Sequence, residues 1–592
     1  MSRLRPLLSS VTESSWRRSA AGVRRALSPR GALALQSVDG SLSFALRAAA
    51  AMALPALPLA LTGRADEAVY TMLGSFTTTF GRNLPYGRRA RVLALVAAAM
   101  TALVCCGSAL AAWAHPRGVG ADLVVVAATA VVAGIAKLAC DAARLSGLGA
   151  VLLLFSFAVA ANGAPAPADI PSQTALAALG AIVAWALAVA GWFVHPDRPQ
   201  RLAVAAALRE VADLLEATGT QELVALPRHR ATAAVLQAYR TLGLMPPTAA
   251  EWGDRGGTCA RLTDLCWSLL IGSARRRLDD PAGLVLQLRG QARLLASRRL
   301  RDPGVLPVLS LPALIAQLGM LPVAGPDPAR ADPATLRAAE ARAAELVTGR
   351  RHDGRERVAA LLVPALRMVL GTGLAGGAAL ALGLGHGYWA AISAAAVLHS
   401  INVRTAAQRA VQRTLGTIAG LVLAIGVLAV HPEPVALVLV IILLEFLLEY
   451  VVARNYALGV VFLTPLALLL TDLADPSSAE ALIQDRTLSS ILGIVIALGC
   501  ALLVVHDRAA VRVERALAAC AEASAYAEQA LDHRVTRALP AVQARLAAAV
   551  VELREADDAA AGELWPAEID PTELAAAEQR AYLLLERVAR WR

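Results

Sequence analysis

Apolar residues along this chain gather into long runs broken by short polar stretches. Six runs stand near 42–62, 66–81, 92–114, 119–140, 146–162 and 173–194, and six more near 358–384, 387–400, 412–430, 433–453, 455–472 and 487–505. A helix that crosses a bilayer needs about 20 mostly apolar residues, so the pattern predicts two groups of six membrane-spanning helices. The second run of each group is short, and eleven spans or a re-entrant segment also fit. Between the groups, 196–357 is polar with helical periodicity, and Pro540, Pro566 and Pro571 divide 507–592 into about three helices. Neither stretch alternates apolar and polar residues as strands do. The fold class is therefore all-α, a polytopic membrane protein. Its expected parts are a basic arm over 1–40, a membrane half over 41–195, a helical domain over 196–357, a second membrane half over 358–506 and a helical domain over 507–592.

The two groups echo each other. Ala143, Arg144, Leu148, Gly149 and Val151 recur as Ala453, Arg454, Leu458, Gly459 and Val461, and Ala45-Leu46-Arg47 recurs as Ala365-Leu366-Arg367. Repeated apolar segments are a common build for carriers. Six spans per group put both halves the same way up, so the expected repeat is parallel.

Charge supports this topology. The chain has 592 residues, 57% of them hydrophobic and 17% charged, with a formal net charge of +10. That is too apolar for an ordinary soluble protein. With the N-terminus inside, the inner loops hold Arg82, Arg88, Arg89 and Arg91, then Arg144, then Arg198 and Arg201. In the second half they hold Arg404, Arg409 and Arg413, then Arg454, then Arg508, whereas the outer loops are poor in arginine. The arginines thus obey the positive-inside rule. Both termini and both polar domains are expected in the cytoplasm, and the charge is expected to set topology against membrane lipid rather than to bind nucleic acid.

Several chemistries are excluded by residue type. Lys137 is the only lysine and follows Ala136, so no Gly-Lys phosphate loop exists. Seven cysteines form no C-x-x-C pair. No zinc-protease, nucleophile-elbow or kinase pattern is present. No enzyme, cofactor or metal site is expected.

The second half carries a more specific pattern. His386-Gly387-Tyr388-Trp389 opens a short apolar run, Arg404, Arg409 and Arg413 follow, and Arg413-Thr414-Leu415-Gly416-Thr417 leads to Gly420. Asn455-Tyr456, Phe462-Leu463-Thr464-Pro465 and Asp485-Arg486-Thr487 running to Gly493 complete it. This order resembles the fusaric acid resistance protein-like family, which includes aromatic carboxylic acid exporters. In the first half Tyr70, Arg88, Arg91 and Gly107 stand where such residues are expected, but the Gly-Thr pair is missing. The resemblance implies a bacterial plasma-membrane protein that moves organic anions outward and assembles as a homo-oligomer.

Charged side chains inside spans cost at least ~2.5 kcal/mol each at a helix centre and mark candidate sites. Lys137 is either a titrating amine for substrate or proton, or it pairs with Asp141 one turn on. Glu445 and Glu449 share one helical face at i, i+4 spacing, which suits proton carriage. Lys137 facing Glu445 across the two halves is the expected pair. Arg47 and Arg367 occupy equivalent places and either bind a carboxylate or extend to the inner edge. Trp389 is added to these as a substrate-binding candidate, although Trp113, Trp185, Trp192 and Trp389 also suit an interfacial belt. Arg144, Arg413 and Arg454 are expected as inner-face anchors or a gate. Ser75, Thr77, Thr78, Thr79 and Thr464-Pro465 either line a pathway or join helices, and Gly371–Gly377 suits close helix packing. The function expected is a proton-coupled exporter of aromatic or other organic carboxylates. A passive anion channel and a membrane scaffold are the alternatives.

Overall fold

A computed structural model describes residues 41–82, 84–143, 145, 149–163, 165–220, 225–244, 257–273, 281–297, 354–400, 403–474, 478–503, 508–532, 539–560 and 570–590. Every element among them is helical. A first set of six comprises α1 (Ser41–Leu61), α2 (Ala65–Ser75), α3 (Tyr86–Ala114), α4 (Val119–Ala142), α5 (Gly149–Ala161) and α6 (Ile170–Val194). Four polar helices follow: α7 (Arg198–Thr220), α8 (Ala225–Leu242), α9 (Thr258–Gly272) and α10 (Pro281–Ala296). A second set of six comprises α11 (Gly354–Ala381), α12 (Tyr388–Leu398), α13 (Val403–Leu428), α14 (Pro434–Val451), α15 (Tyr456–Ala474) and α16 (Ala479–Leu503). Three more polar helices complete the described chain: α17 (Arg508–Asp532), α18 (Leu539–Ala560) and α19 (Pro571–Arg590). The basic arm over 1–40 lies outside the described residues.

Nine of these helices are long and apolar enough to cross a membrane, and all nine belong to the two sets of six. Their surfaces are inside out relative to a soluble protein. Leu54, Leu95, Ile135, Phe193, Val422 and Val495 are exposed, while Lys137, Arg413, Glu445 and Arg486 are buried. Hydrocarbon outside and polar groups inside is the arrangement a bilayer imposes. The chain reads as a multi-pass membrane protein.

The short second runs have a physical reason. Every residue of α12 is buried, and eight residues of α2 are buried before it tightens into a 3-10 turn over Phe76–Thr79. Protein rather than lipid surrounds them, so neither has to match the bilayer in length. A helix that ends inside protein must still satisfy its last carbonyls. Arg367 donates to Ser400 O at 2.7 Å and to Leu398 O at 3.5 Å, closing the end of α12. Arg89 holds the loop after the 3-10 turn, donating to Arg82 O at 2.8 Å and Gly81 O at 3.2 Å.

Packing within each set follows the same scheme. α2 lies on α6 as α12 lies on α16, α3 lies on α5 as α13 lies on α15, and α1 meets α2 as α11 meets α12. Between the sets, α4 packs on α11 and α14 packs on α1. Glycines permit these approaches. A Cβ at Gly180 would stand 2.0 Å from Thr71 O, and one at Gly493 would stand 2.3 Å from Ala390 O. Gly134, Gly373 and Gly376 line the α4–α11 seam, so the Gly371–Gly377 run serves packing as expected. The polar helices build a separate core. Leu208, Trp267, Leu288, Leu546 and Leu585 belong to one buried cluster drawn from both the insert and the C-terminal segment.

Candidate functional site

Two arginines lie at the centre of the second set. Arg413 on α13 and Arg486 on α16 are both about 1% exposed. Four helices position the groups around them by simple periodicity. Trp389 and Ser393 stand four residues apart on α12, as do Arg413 and Thr417 on α13. Arg486, Ser489 and Ser490 fall at i, i+3 and i+4 on α16, so each group shares one helical face. Tyr456 and Thr464 come from α15.

The contacts are specific. The Arg486 guanidinium lies over the Trp389 ring at 3.9 Å from its centroid. Arg413 donates to Ser393 Oγ at 3.3 Å and to Tyr456 OH at 3.4 Å, both long for such bonds. The two arginines feel each other's charge. Among the described residues neither is paired with a carboxylate. The adjacent Asp485 is committed elsewhere, accepting from the His386 backbone N–H at 3.1 Å and lying 2.9 Å from His386 Nδ1.

Many donors around this pair have no protein acceptor. They are Arg413 Nε, Arg486 Nε and Nη1, Trp389 Nε1 and the hydroxyls of Thr417, Thr464, Ser489 and Ser490. Taking an ion out of water costs several kcal/mol even after relaxation. A cation–π contact returns only about 2 kcal/mol. Two buried guanidinium groups flanked by donors without a protein acceptor make surroundings suited to an anion.

The glycine and threonine motif sets the wall of this site. A Cβ at Gly416 would stand 2.7 Å from Ala457 O, and one at Gly420 would stand 2.7 Å from Thr464 Cβ. Pro465 supplies no N–H to Val461 O, and Gly420 packs against that carbonyl. Phe155 of the first set reaches in, with its ring centroid 5.8 Å from that of Trp389.

The other expected residues do not converge here. Lys137 pairs with Asp141 at 2.9 Å on α4. It does not meet Glu445, which is a correction to the expected pair: α4 packs on α11, whereas Glu445 faces the α14–α1 seam. Arg367 caps α12, and Arg47 lies at the α14–α1 seam, so Arg47, Arg367 and Lys137 do not form one anion site. At that seam Arg47 and Arg82 stack on the Phe44 ring at 4.7 and 4.5 Å. The Glu449 carboxylate interacts with both cations. Glu445 and Glu449 are both buried. Arg454 stacks on Tyr450 at 4.2 Å and donates to Ser41 Oγ at 3.1 Å, fastening the start of α1 to the end of α14. Arg144 lies outside the described residues.

Trp389 departs from the expected interfacial belt and is 1% exposed, whereas Trp113 and Trp192 are exposed. Arg413, expected as an inner-face anchor or a gate, is buried on α13 and reaches Ser393 and Tyr456. Arg486 was the residue that sequence reasoning left without a role. Its signal was available, since an arginine on an apolar helix face at i, i+3, i+4 with two serines is costly unless it serves a site.

Residues 374–500 match the fusaric acid resistance protein-like family. All of Trp389, Ser393, Arg413, Tyr456 and Arg486 fall within the match. The chain is also 37% identical over 122 residues to the uncharacterized membrane protein YvaC of Bacillus subtilis (strain 168). That match covers 20% of this chain and only 19% of the relative's length. No solved structure matches the chain.

Proposed function

We propose that the protein is a plasma-membrane secondary transporter that carries organic carboxylates outward, with Arg413, Arg486 and Trp389 as its anion site. The observation that carries this reading is the pair of buried guanidinium groups with no carboxylate partner among the described residues. A guanidinium fork binds a carboxylate through two parallel hydrogen bonds. The match over 374–500 places the site-bearing segment in the family named for fusaric acid resistance.

The two sets of six helices act as parallel repeats in this proposal. The reciprocal seams support it, since α4 on α11 mirrors α14 on α1. The proposed site belongs to the second repeat. The first holds a polar pair of its own, in which Ser108 donates to Gln173 Oε1 at 2.6 Å. The polar helices lie in the cytoplasm, where the arginine-rich loops direct them.

Proton coupling is assigned to Glu445 and Glu449. Glu445 is buried with Oε2 lacking a partner, and Glu449 stands beside Arg47 and Arg82 across the seam between the repeats. Movement of one repeat against the other changes these contacts, which ties a proton to transport.

Efflux of labelled benzoate from proteoliposomes tests the proposal, under an imposed pH gradient or an imposed voltage. Saturable flux that requires the pH gradient is expected. Arg486→Gln should abolish flux. Glu445→Gln should abolish gradient-driven flux while leaving exchange of internal for external benzoate intact. Flux that follows voltage alone would replace the carrier with a passive channel.

A further inference from the structure

The anion site proposed above has more positive charge than a single carboxylate can answer. We infer that its preferred occupant is a two-headed dianion, a small molecule with two carboxylates held about one helical turn apart. This deepens the anion-site reading and rests on it.

The spacing comes from α12. Arg486 is placed over Trp389 and Arg413 is placed on Ser393. These two residues stand four positions apart on one helix face, about 6 Å along the axis. The two guanidinium groups thus have different partners, the Trp389 ring for Arg486 and the Ser393 hydroxyl for Arg413. Each lacks a carboxylate among the described residues. A monocarboxylate can neutralise one of them and leaves the other buried and uncompensated, at a cost of several kcal/mol. An anion with two heads neutralises both.

The donors agree with this count. Arg413 Nε, Arg486 Nε and Nη1 and Trp389 Nε1 all point to no protein acceptor. The hydroxyls of Thr417, Thr464, Ser489 and Ser490 are likewise without partners. Two carboxylates offer about eight acceptor positions, whereas one offers about four. Each buried donor that stays unpaired costs about 1–3 kcal/mol. Within the wall of the site stand donors and aromatic rings, and three acidic groups of the second set are engaged elsewhere. Asp485 is held by His386, and Glu445 with Glu449 faces the other seam.

Calorimetric titration of the purified full-length protein in detergent tests this with three probes. Terephthalate carries carboxylates at opposite ends of a benzene ring, benzoate carries one, and inorganic phosphate carries its charge on one group. At pH 8 terephthalate should bind one per chain and at least about tenfold more tightly than benzoate and phosphate. Arg413→Gln and Arg486→Gln should each lower terephthalate affinity to that of benzoate. The wild-type affinity ratio needs no variant, so a misfolded variant does not remove the test. Equal affinity for benzoate and terephthalate would overturn the inference, as would two benzoates per chain or phosphate binding as tightly as terephthalate. Those results leave the anion site standing. Binding of none of the three probes by folded protein would overturn the anion-site reading itself.

Discussion

Arg486 concentrates the tension between stability and function in this protein. Its charge is buried over Trp389 without a counter-ion among the described residues. Replacing it with methionine removes an uncompensated ion while keeping much of the packing volume. Arg486→Met should therefore stabilise the membrane core by about 1 kcal/mol or more while abolishing anion flux, and a thermal melt run beside the efflux assay reads both. Arg486→Lys keeps the charge but loses the planar fork and its stacking. It should retain folding and lose about tenfold in flux. A variant with normal transport would remove Arg486 from the site. The sequence marked Trp389 as a substrate-binding candidate and Arg413 as an inner-face anchor or gate, and the structure brings both beside Arg486 and Ser393. It also marked Arg47, Arg367 and Lys137, which are compensated locally by Glu449, by the end of α12 and by Asp141. A sequence shows that a charge is buried but not which neighbour answers it.

At the scale of elements, helix contacts in this core depend on the absence of side chains. Lipid tails provide no hydrophobic drive between helices, so close approach and van der Waals packing hold them together. Gly180→Val places a Cβ 2.0 Å from Thr71 O, against backbone that has no rotamer to escape into. The α2–α6 pair should be forced apart, with a loss of about 1–3 kcal/mol or more. The check is the yield of monodisperse protein by fluorescence-detected size exclusion. Gly377→Val, with open space around its Cβ, is the control and should behave as wild type. Helix number and order were legible from the apolar runs. The shortness of α2 and α12 was visible too, but its reason was not, because enclosure by other helices is a tertiary fact.

For the whole molecule, the two largest hydrophobic cores among the described residues are built from interleaved pieces of chain. The insert and the C-terminal segment share the polar one. Thr232 Oγ1 donates to Arg228 O at 2.8 Å, so the Tyr582 hydroxyl donates to Thr232 Oγ1 at 2.9 Å and ties α19 to α8. Tyr582→Phe leaves that oxygen short of a donor and should cost this body about 1 kcal/mol, read as a lower melting temperature. Alkaline pH should loosen the same body. Burial pushes the Cys520 thiol up to about 11, from an ordinary 9.0. Below about 9 the thiol is neutral in both states and its contribution is complete. Between 9 and 11 only the unfolded chain ionises, so stability falls as pH rises. Cys266 and Tyr582 are shifted upward for the same reason, burial. Cys520→Ala should make the alkaline fall shallower without removing it, which melts at pH 8 and pH 11 would show.

The sequence by itself determined the class of this protein, its two groups of six helices and the polar regions between and after them. Those features follow from local quantities, the length of an apolar run and the period of a helix. It also marked which charges lie within apolar runs, where a charged side chain is costly unless it is paired or reaches the membrane edge. Only the tertiary structure decided which charges meet. The α4–α11 and α14–α1 seams separate Lys137 from Glu445, and the faces of α12, α13 and α16 bring Arg413, Arg486 and Trp389 together. Helix periodicity specifies which residues share a face. Which face looks onto which is set by packing across hundreds of residues of chain.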